Sequence, residues 1–331
     1  MSAAMIEVAG LARTFVSKGA TVEAVRGVDF RIAAGEVVAF LGPNGAGKTT
    51  TQRMLATLLS ATAGEATVAG CDLRRDPVGV RQRIGYVAQS GSTNGLATID
   101  EDLVVQGRLF GMTAAAAAAK ARELRQQLDL GDLGDRRNQS LSGGQRRRVD
   151  IALGLIHSPP VVFLDEPSTG LDPQSRANLW HHIRGLRDER GTTVFLTTHY
   201  LDEADALADR ILIIDHGKIV AEGTPAELKR RVSGDVIAFE VTSATASPAD
   251  AAEMARAMLA AQPGVRDAGV HDQGGRISVR VTVDAGDAQV LALAKVIEGA
   301  ELAVGSLEVR RPTLDDVFLT LTGRSLREQG N

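Results

Sequence analysis

The segment Gly42-Pro43-Asn44-Gly45-Ala46-Gly47-Lys48-Thr49 follows an apolar run and precedes a helical stretch. Glycines at this spacing let successive backbone N–H groups converge on an anion, and the helix start behind them adds a favourable dipole. Lys48 then reaches the β- and γ-phosphates of a nucleotide, the Thr49 hydroxyl ligates Mg²⁺, and Thr50 completes the cradle. Without the Lys-Thr ending a glycine-rich turn is a weak signal; with it, a merely structural loop is a poor account. The cradle needs an acidic partner at the end of a neighbouring strand, and Val161-Val162-Phe163-Leu164-Asp165-Glu166 supplies one. Asp165 suits the Mg²⁺ shell, and Glu166 is placed to polarise a water for attack on the γ-phosphate. Alone, an apolar run ending in Asp-Glu is a strand meeting solvent. Its pairing with the phosphate loop makes it functional.

Leu141-Ser142-Gly143-Gly144-Gln145 is followed by a helical pattern through Val149, Ile151, Ala152 and Leu155. A Ser-Gly-Gly turn that opens a helix is a second anion site, able to grip a γ-phosphate through N–H groups and a hydroxyl. At this point the chain resembles the ABC ATPase family, whose marker is this pentapeptide placed just before the acidic strand. The match covers residues 5–230, in the family's order and spacing. The resemblance implies binding of ATP and Mg²⁺, and it implies roles for further residues. Gln89, in Tyr86-Val87-Ala88-Gln89, is similar to the Q-loop glutamine, which touches the Mg²⁺/water site and senses a membrane partner. Ser168-Thr169-Gly170-Leu171-Asp172 looks like the D-loop, and His199 like the switch histidine that contacts the γ-phosphate. Phe15 resembles the aromatic that stacks on adenine, although the family more often uses Tyr; a core place in the first hairpin is the alternative. In the family, Gly42–Thr49 of one subunit faces Ser142–Gln145 of a second copy, so the resemblance implies a dimer.

These residues need elements to hold them. Residues 6–10, 22–32, 36–41 and 65–69 read as short strands, with a helix opening near Lys48. From about 90 to 158 the pattern is helical, and strands return at 161–164, 194–197 and 211–214 with helices between them. That alternation predicts a parallel sheet with crossover helices. The expected fold is an α/β P-loop NTPase of ABC-ATPase type: a parallel-sheet core, an antiparallel β subdomain and a helical subdomain. Thr224-Pro225-Ala226-Glu227 marks a helix start. Beyond residue 232 the order reads strand 235–242, helix 248–261, strand 265–271, strand 275–283, helix 286–297 and strand 303–310. This βαββαβ order predicts a small ferredoxin-like α+β domain over 233–311, after an ATPase domain over 1–232. A helix and tail fill 312–331, with Thr313 and Asp316 as capping box, Leu314, Val317, Phe318 and Leu321 on one face and Gly323 as the stop.

Other features take plainer readings. Arg146-Arg147-Arg148 reads as a solvated face or a local phosphate aid rather than a nucleic-acid patch. His181 and His182 are adjacent on a helix and diverge, a poor metal pair. Cys71, the single cysteine, has no His or Cys at ligand spacing and fits a reducing compartment. A net charge of -4 and 3% aromatic residues argue against nucleic acid as a partner. No run reaches the roughly 20 apolar residues a membrane span needs, and no secretory signal opens the chain. A membrane role must therefore come through a separate permease.

The ending Arg310-Arg311-Pro312-Thr313-Leu314-Asp315-Asp316-Val317-Phe318-Leu319 is similar to that of the daunorubicin/doxorubicin-resistance-type ABC exporter ATPases. Members of that group sometimes carry Met at the Gln145 position and Gln at the His199 position; this chain has Gln and His. The resemblance implies export of a drug or lipid-like substrate through an ABC-2-type transmembrane permease, with the ATPase cytoplasmic and peripheral on the inner face of the membrane. A lipid or polysaccharide exporter, an importer and a non-transport ABC ATPase are the alternatives.

Overall fold

The computed structural model describes residues 4–322 apart from 18, 233–234, 244–245, 274–275, 284–285, 301 and 311. The chain divides between Pro225 and Ala226 into two compact units.

In the first unit, β1 (Ala4–Ser17) and β2 (Ala20–Ala33) form a long hairpin, and β4 (Ala63–Val68) and β5 (Cys71–Asp72) extend the sheet beyond β1. The sequence signal for β1 ends at Gly10, because a glycine in an alternating pattern reads as a strand end. It is a bulge instead. Gly10 takes φ +58°, its N–H donates to Asp29 Oδ1 at 2.8 Å, and the register shifts between Val8 and Leu11. The strand then continues past Phe15.

The second sheet has six strands in the order β10-β9-β3-β8-β7-β6. Of these, β3 (Val37–Leu41), β6 (Ile84–Val87), β7 (Val161–Asp165), β8 (Thr193–Thr198) and β9 (Arg210–Asp215) run parallel, and β10 (Lys218–Gly223) is antiparallel to β9. Every residue of β3, β7 and β8 is buried, so their apolar residues run without alternation, and the polar ones, threonines of β8 and Asp165, lie at the strand ends. Phe30 of β2 joins the two sheets, with its ring centroid 6.0 Å from Phe40 and 5.9 Å from Phe195. The crossovers hold α1 (Lys48–Leu55), α2 (Pro77–Arg83), α3 (Ile99–Leu109), α4 (Ala114–Gln127), α5 (Gly143–Leu155), α6 (Pro173–Arg190) and α7 (Leu201–Leu207). Caps set their starts: Thr98 and Glu101 form a capping box on α3, and Asp172 with Pro173 begins α6.

The edge strand β6 has no strand pattern in the sequence, being four residues with a glycine inside. Its reason is packing. A Cβ on Gly85 would lie 2.2 Å from the Gly154 carbonyl oxygen, so the two glycines let α5 close directly on β6.

The second unit begins with α8 (Pro225–Val232), which the sequence reading assigns to the first domain. Next come β11 (Asp235–Ser243), α9 (Pro248–Ala260), β12 (Val265–Gln273), β13 (Arg276–Val283), α10 (Gly286–Glu298) and β14 (Leu302–Arg310). The sheet order is β12-β13-β11-β14, all antiparallel, which is the ferredoxin-like arrangement. Alternate residues Ile237, Phe239, Val241, Val279, Val281 and Val283 face inward and meet Ala251, Ala255, Leu259, Leu293 and Ile297. In α11 (Leu314–Thr322), Thr313 and Asp316 exchange backbone-to-side-chain bonds of 2.8 and 3.3 Å. Leu314, Val317 and Phe318 are buried, but Leu321 is exposed rather than part of that face. The expected stop, Gly323, and the tail to residue 331 lie outside the described residues. Among the described residues, no helix is long and apolar enough to cross a membrane.

Candidate active site

The candidate phosphate-binding residues gather where parallel strands end at their carboxyl side, the place where open α/β sheets hold ligands. Strand β3 runs into the Gly42–Thr49 loop and α1, β7 ends in Asp165 and Glu166, β8 ends before His199, and β6 leads to Gln89. The loop is close-packed. A Cβ on Gly42 would lie 2.3 Å from Ile214 O, and one on Gly47 (φ +107°) would lie 2.5 Å from Ala24 O. Ala46 and Gly47 are buried, whereas Asn44 and Gly45 are exposed at the rim, and Pro43, Thr49 and Thr50 complete the walls.

Lys48 is 5% exposed and curls back over its own loop, donating to Gly42 O at 2.7 Å and Pro43 O at 3.0 Å. Its Nζ also lies 3.6 Å from Glu166 Oε1. Burial pulls the Lys48 ammonium below its ordinary value, against Glu166 and Asp165, which hold the proton on.

Glu166 is the hub. Gln89 Nε2 donates to its Oε2 at 2.8 Å, Thr169 Oγ1 donates to the same oxygen at 3.2 Å, and His199 Nδ1 lies 3.2 Å from Oε1. Burial works to raise its pKa, but His199, Lys48 and Thr169 outweigh that and hold it below the usual carboxylate value. A charged carboxylate therefore sits at the end of β7, with Gln89, His199 and Lys48 brought to it from three other segments. Its backbone has φ +44°, a conformation non-glycine residues keep only where the surroundings over-determine it.

Next to it, Asp165 Oδ1 accepts from Thr49 Oγ1 at 2.9 Å and from Thr197 Oγ1 at 2.7 Å. A carboxylate and hydroxyls are hard oxygen donors, and too few to encage a cation alone. That set fits Mg²⁺, which keeps waters and substrate phosphates among its ligands, better than a transition metal.

The Ser142–Gln145 turn, Asp172 and Phe15, three sequence-derived parts of the site, share none of these contacts. Ser142 and Gln145 cap α5 with each other: Gln145 N donates to Ser142 Oγ at 3.2 Å, and Ser142 N donates to Gln145 Oε1 at 3.0 Å. Ser142 and Gly143 are exposed, and Gly144 passes so close to α6 that a Cβ there would lie 2.8 Å from Ser175 Oγ. Asp172 is the N-cap of α6, accepting Ser175 N at 2.9 Å and Ser175 Oγ at 2.6 Å. Those two bonds hold its pKa below the ordinary value. Phe15 is on the hairpin surface at 38% exposure with the Arg13 guanidinium 4.6 Å from its ring centre, so it is not a core residue.

The arginine triplet corrects the sequence reading. Arg147 is not on a solvated face; it is buried and hydrogen-bonded to three backbone carbonyls. Thr169 and Thr197 also belong to the site without having been singled out. Thr197 is within reach of sequence reasoning, since it closes the strand read over 194–197, two residues before His199. Thr169 lies inside the D-loop motif Ser168–Asp172, but that motif does not announce its bond to Glu166.

A phosphate loop, an acidic strand end and a separate Ser-Gly-Gly turn on one parallel sheet define a nucleotide-hydrolysing cassette. The family model of the ABC transporter matches residues 25–169, and that of the DrrA1-3-like ATP-binding protein C-terminal domain matches residues 223–322. The chain belongs to the ATP-binding subunits of ABC transporters, ATPases that couple ATP hydrolysis to transport. It is 43% identical over 318 residues to the daunorubicin/doxorubicin resistance ATP-binding protein DrrA of Streptomyces peucetius, covering 96% of this chain and 92% of that one. It is 44% identical to the daunorubicin resistance ATP-binding protein DrrA2 of Streptomyces coeruleorubidus, over 91% and 90% of the two chains. Among solved structures, the dimeric post-hydrolysis ATP-binding cassette MJ0796 with ADP and Pi superposes with TM-score 0.62. Its identity is 25%, and the match covers 66% of this chain and 98% of that one.

Proposed function

We propose that this chain drives export of a drug or lipid-like substrate through a separate ABC-2-type permease, working as a pair of ATPases on the inner face of the membrane. One observation carries the reading: a charged Glu166 sits within 3.6 Å of Lys48 and 3.2 Å of His199, beside the Asp165–Thr49 pair. In that arrangement Lys48 and the N–H groups of Gly42–Thr49 bind the phosphates, and Phe15 supports the adenine. Glu166 orients the attacking water and takes up its proton, with Gln89 fixing the carboxylate and His199 turned to the γ-phosphate. Thr49, Asp165 and Gln89 would hold Mg²⁺, which neutralises phosphate charge when bound. The exposed turn Ser142–Gln145 would grip the γ-phosphate of the facing copy, near Asp172 of the D-loop. The nucleotide domain spans 1–232 in this reading, with 233–311 as an accessory domain, although α8 clusters with the second compact unit. The drug or lipid-like class is supported by the resistance proteins it resembles along nearly the whole chain.

The test is Ser142→Arg in the chain assembled with its permease. Bulk and charge on the exposed turn should abolish hydrolysis and the ATP-dependent dimer seen by gel filtration, while ATP binding persists. Wild-type hydrolysis by this variant would refute the facing-copy arrangement.

A further inference from the structure

Arg147 lies on α5, the helix whose first turn is Ser142–Gln145. It is 7% exposed, and its donors go to main-chain carbonyls: Nε to Pro167 O at 2.8 Å, Nη2 to Asp165 O at 3.0 Å and Nη1 to Ala88 O at 2.5 Å. Asp165 and Pro167 flank Glu166, and the Ala88 carbonyl belongs to the peptide that leads into Gln89. One planar fork therefore holds the backbone on both sides of the carboxylate hub and just before the glutamine that bonds it at 2.8 Å. One turn further along the helix, Asp150 is 3% exposed and accepts Ser92 N at 2.6 Å and Thr93 N at 3.2 Å. The segment 88–93 is thus fastened at both ends to one face of α5. Close packing of α5 on β6 through Gly85 and Gly154 leaves little slack between them.

We propose that Arg147 is a positioning residue that keeps Glu166 in its left-handed conformation and Gln89 against it. Through Arg147, a displacement of α5 by whatever engages the Ser142–Gln145 turn reaches both residues together. The inference rests on the reading above, in which Glu166 orients the water. A guanidinium suits this task because it offers several donors in a rigid fork, whereas an ammonium is a point donor on a flexible stem. Three separate nitrogens of the fork serve the three carbonyls, whereas an ammonium has one, so Lys cannot reproduce all three bonds.

The experiment is a double-mutant cycle on the full chain, with ATP turnover and nucleotide affinity measured separately. Arg147→Lys should lower kcat by about 10–100-fold, the scale of a small misplacement of a catalytic group. KM and the Kd for ATP should stay within about threefold, because the phosphate loop is untouched. In the Glu166→Gln background the same change should cost almost nothing further, since its route runs through Glu166. Arg147→Gln, which can still reach one carbonyl, is the second variant and should fall below Arg147→Lys. Equal losses in both backgrounds, or unchanged kcat in Arg147→Lys, overturn the proposal. So does failure of both Arg147 variants to bind ATP, which would make the residue a determinant of folding alone. Normal hydrolysis by Glu166→Gln by itself would instead remove the underlying reading of the site.

Discussion

Replacing Glu166 by Gln removes one negative charge and leaves the side-chain outline almost intact. In the wild-type chain both carboxylate oxygens are used: Oε2 accepts from Gln89 and Thr169, and Oε1 faces Lys48 and His199. An amide has only one accepting end. Turned either way, its nitrogen meets donors, so one pair of contacts is lost. The chain without nucleotide should be destabilised by about 1–3 kcal/mol, the usual penalty for leaving buried polar groups unmatched. The strained backbone at φ +44° is shared by both proteins and cancels in the comparison. Lys48 keeps its two loop carbonyls, so its reach toward a phosphate is retained, and bound ATP replaces the missing negative charge beside it. ATP should therefore raise the Tm of the variant at least as much as that of the wild type. Hydrolysis is another matter. Loss of one well-placed transition-state contact costs about 10²–10³ in rate, or ~2.7–4 kcal/mol. The assay is phosphate release under single-turnover conditions by the chain assembled with its permease, beside equilibrium binding of a fluorescent ATP analogue. Near-normal hydrolysis, or a loss matched by an equal loss of affinity, would refute the assignment.

Lys48→Ala should lose the stabilisation that nucleotide confers, which for the wild type is about 2.7 kcal/mol at a hundredfold excess over Kd. An undiminished rise in Tm with ATP would show that the cradle lies elsewhere. Glu203, fully buried on α7 and hydrogen-bonded to Trp180 Nε1 at 3.2 Å, has a pKa raised chiefly by burial above its ordinary 4.5. Its folded form holds the proton to higher pH than the unfolded chain does, so it costs stability as pH rises from 4.5 through the raised value. Glu203→Gln should keep the indole bond and lose that slope, which urea midpoints at pH 5 and pH 8 will show; parallel pH dependences in the two proteins would contradict it.

The chemistry was legible in the sequence because it depends on short contiguous segments. A phosphate cradle needs its glycines, Lys48 and Thr49 in one loop, and the Asp165–Glu166 pair needs only an apolar strand before it. The C-terminal sandwich was legible for a similar reason: each element carries its own period, and the βαββαβ order admits few arrangements. Local conformations set by distant contacts were not legible. Gly10 looked like the end of a strand because nothing nearby announces a bulge. The strand β6 was missed because its stability comes from α5 closing over Gly85, almost seventy residues later in the chain. Arg147 shows the limit most clearly. Three consecutive arginines on a helix point about 100° apart, so on a packed helix one of them must turn inward. Composition cannot say which one, nor what it meets. That depends on where α5 lies against β6 and the end of β7, and only there do three carbonyls from two distant segments meet one guanidinium. The sequence determined which groups are available for the chemistry; tertiary packing decided which of them meet, because hydrogen bonds across 18 to 77 residues form only once the sheet and its helices are assembled.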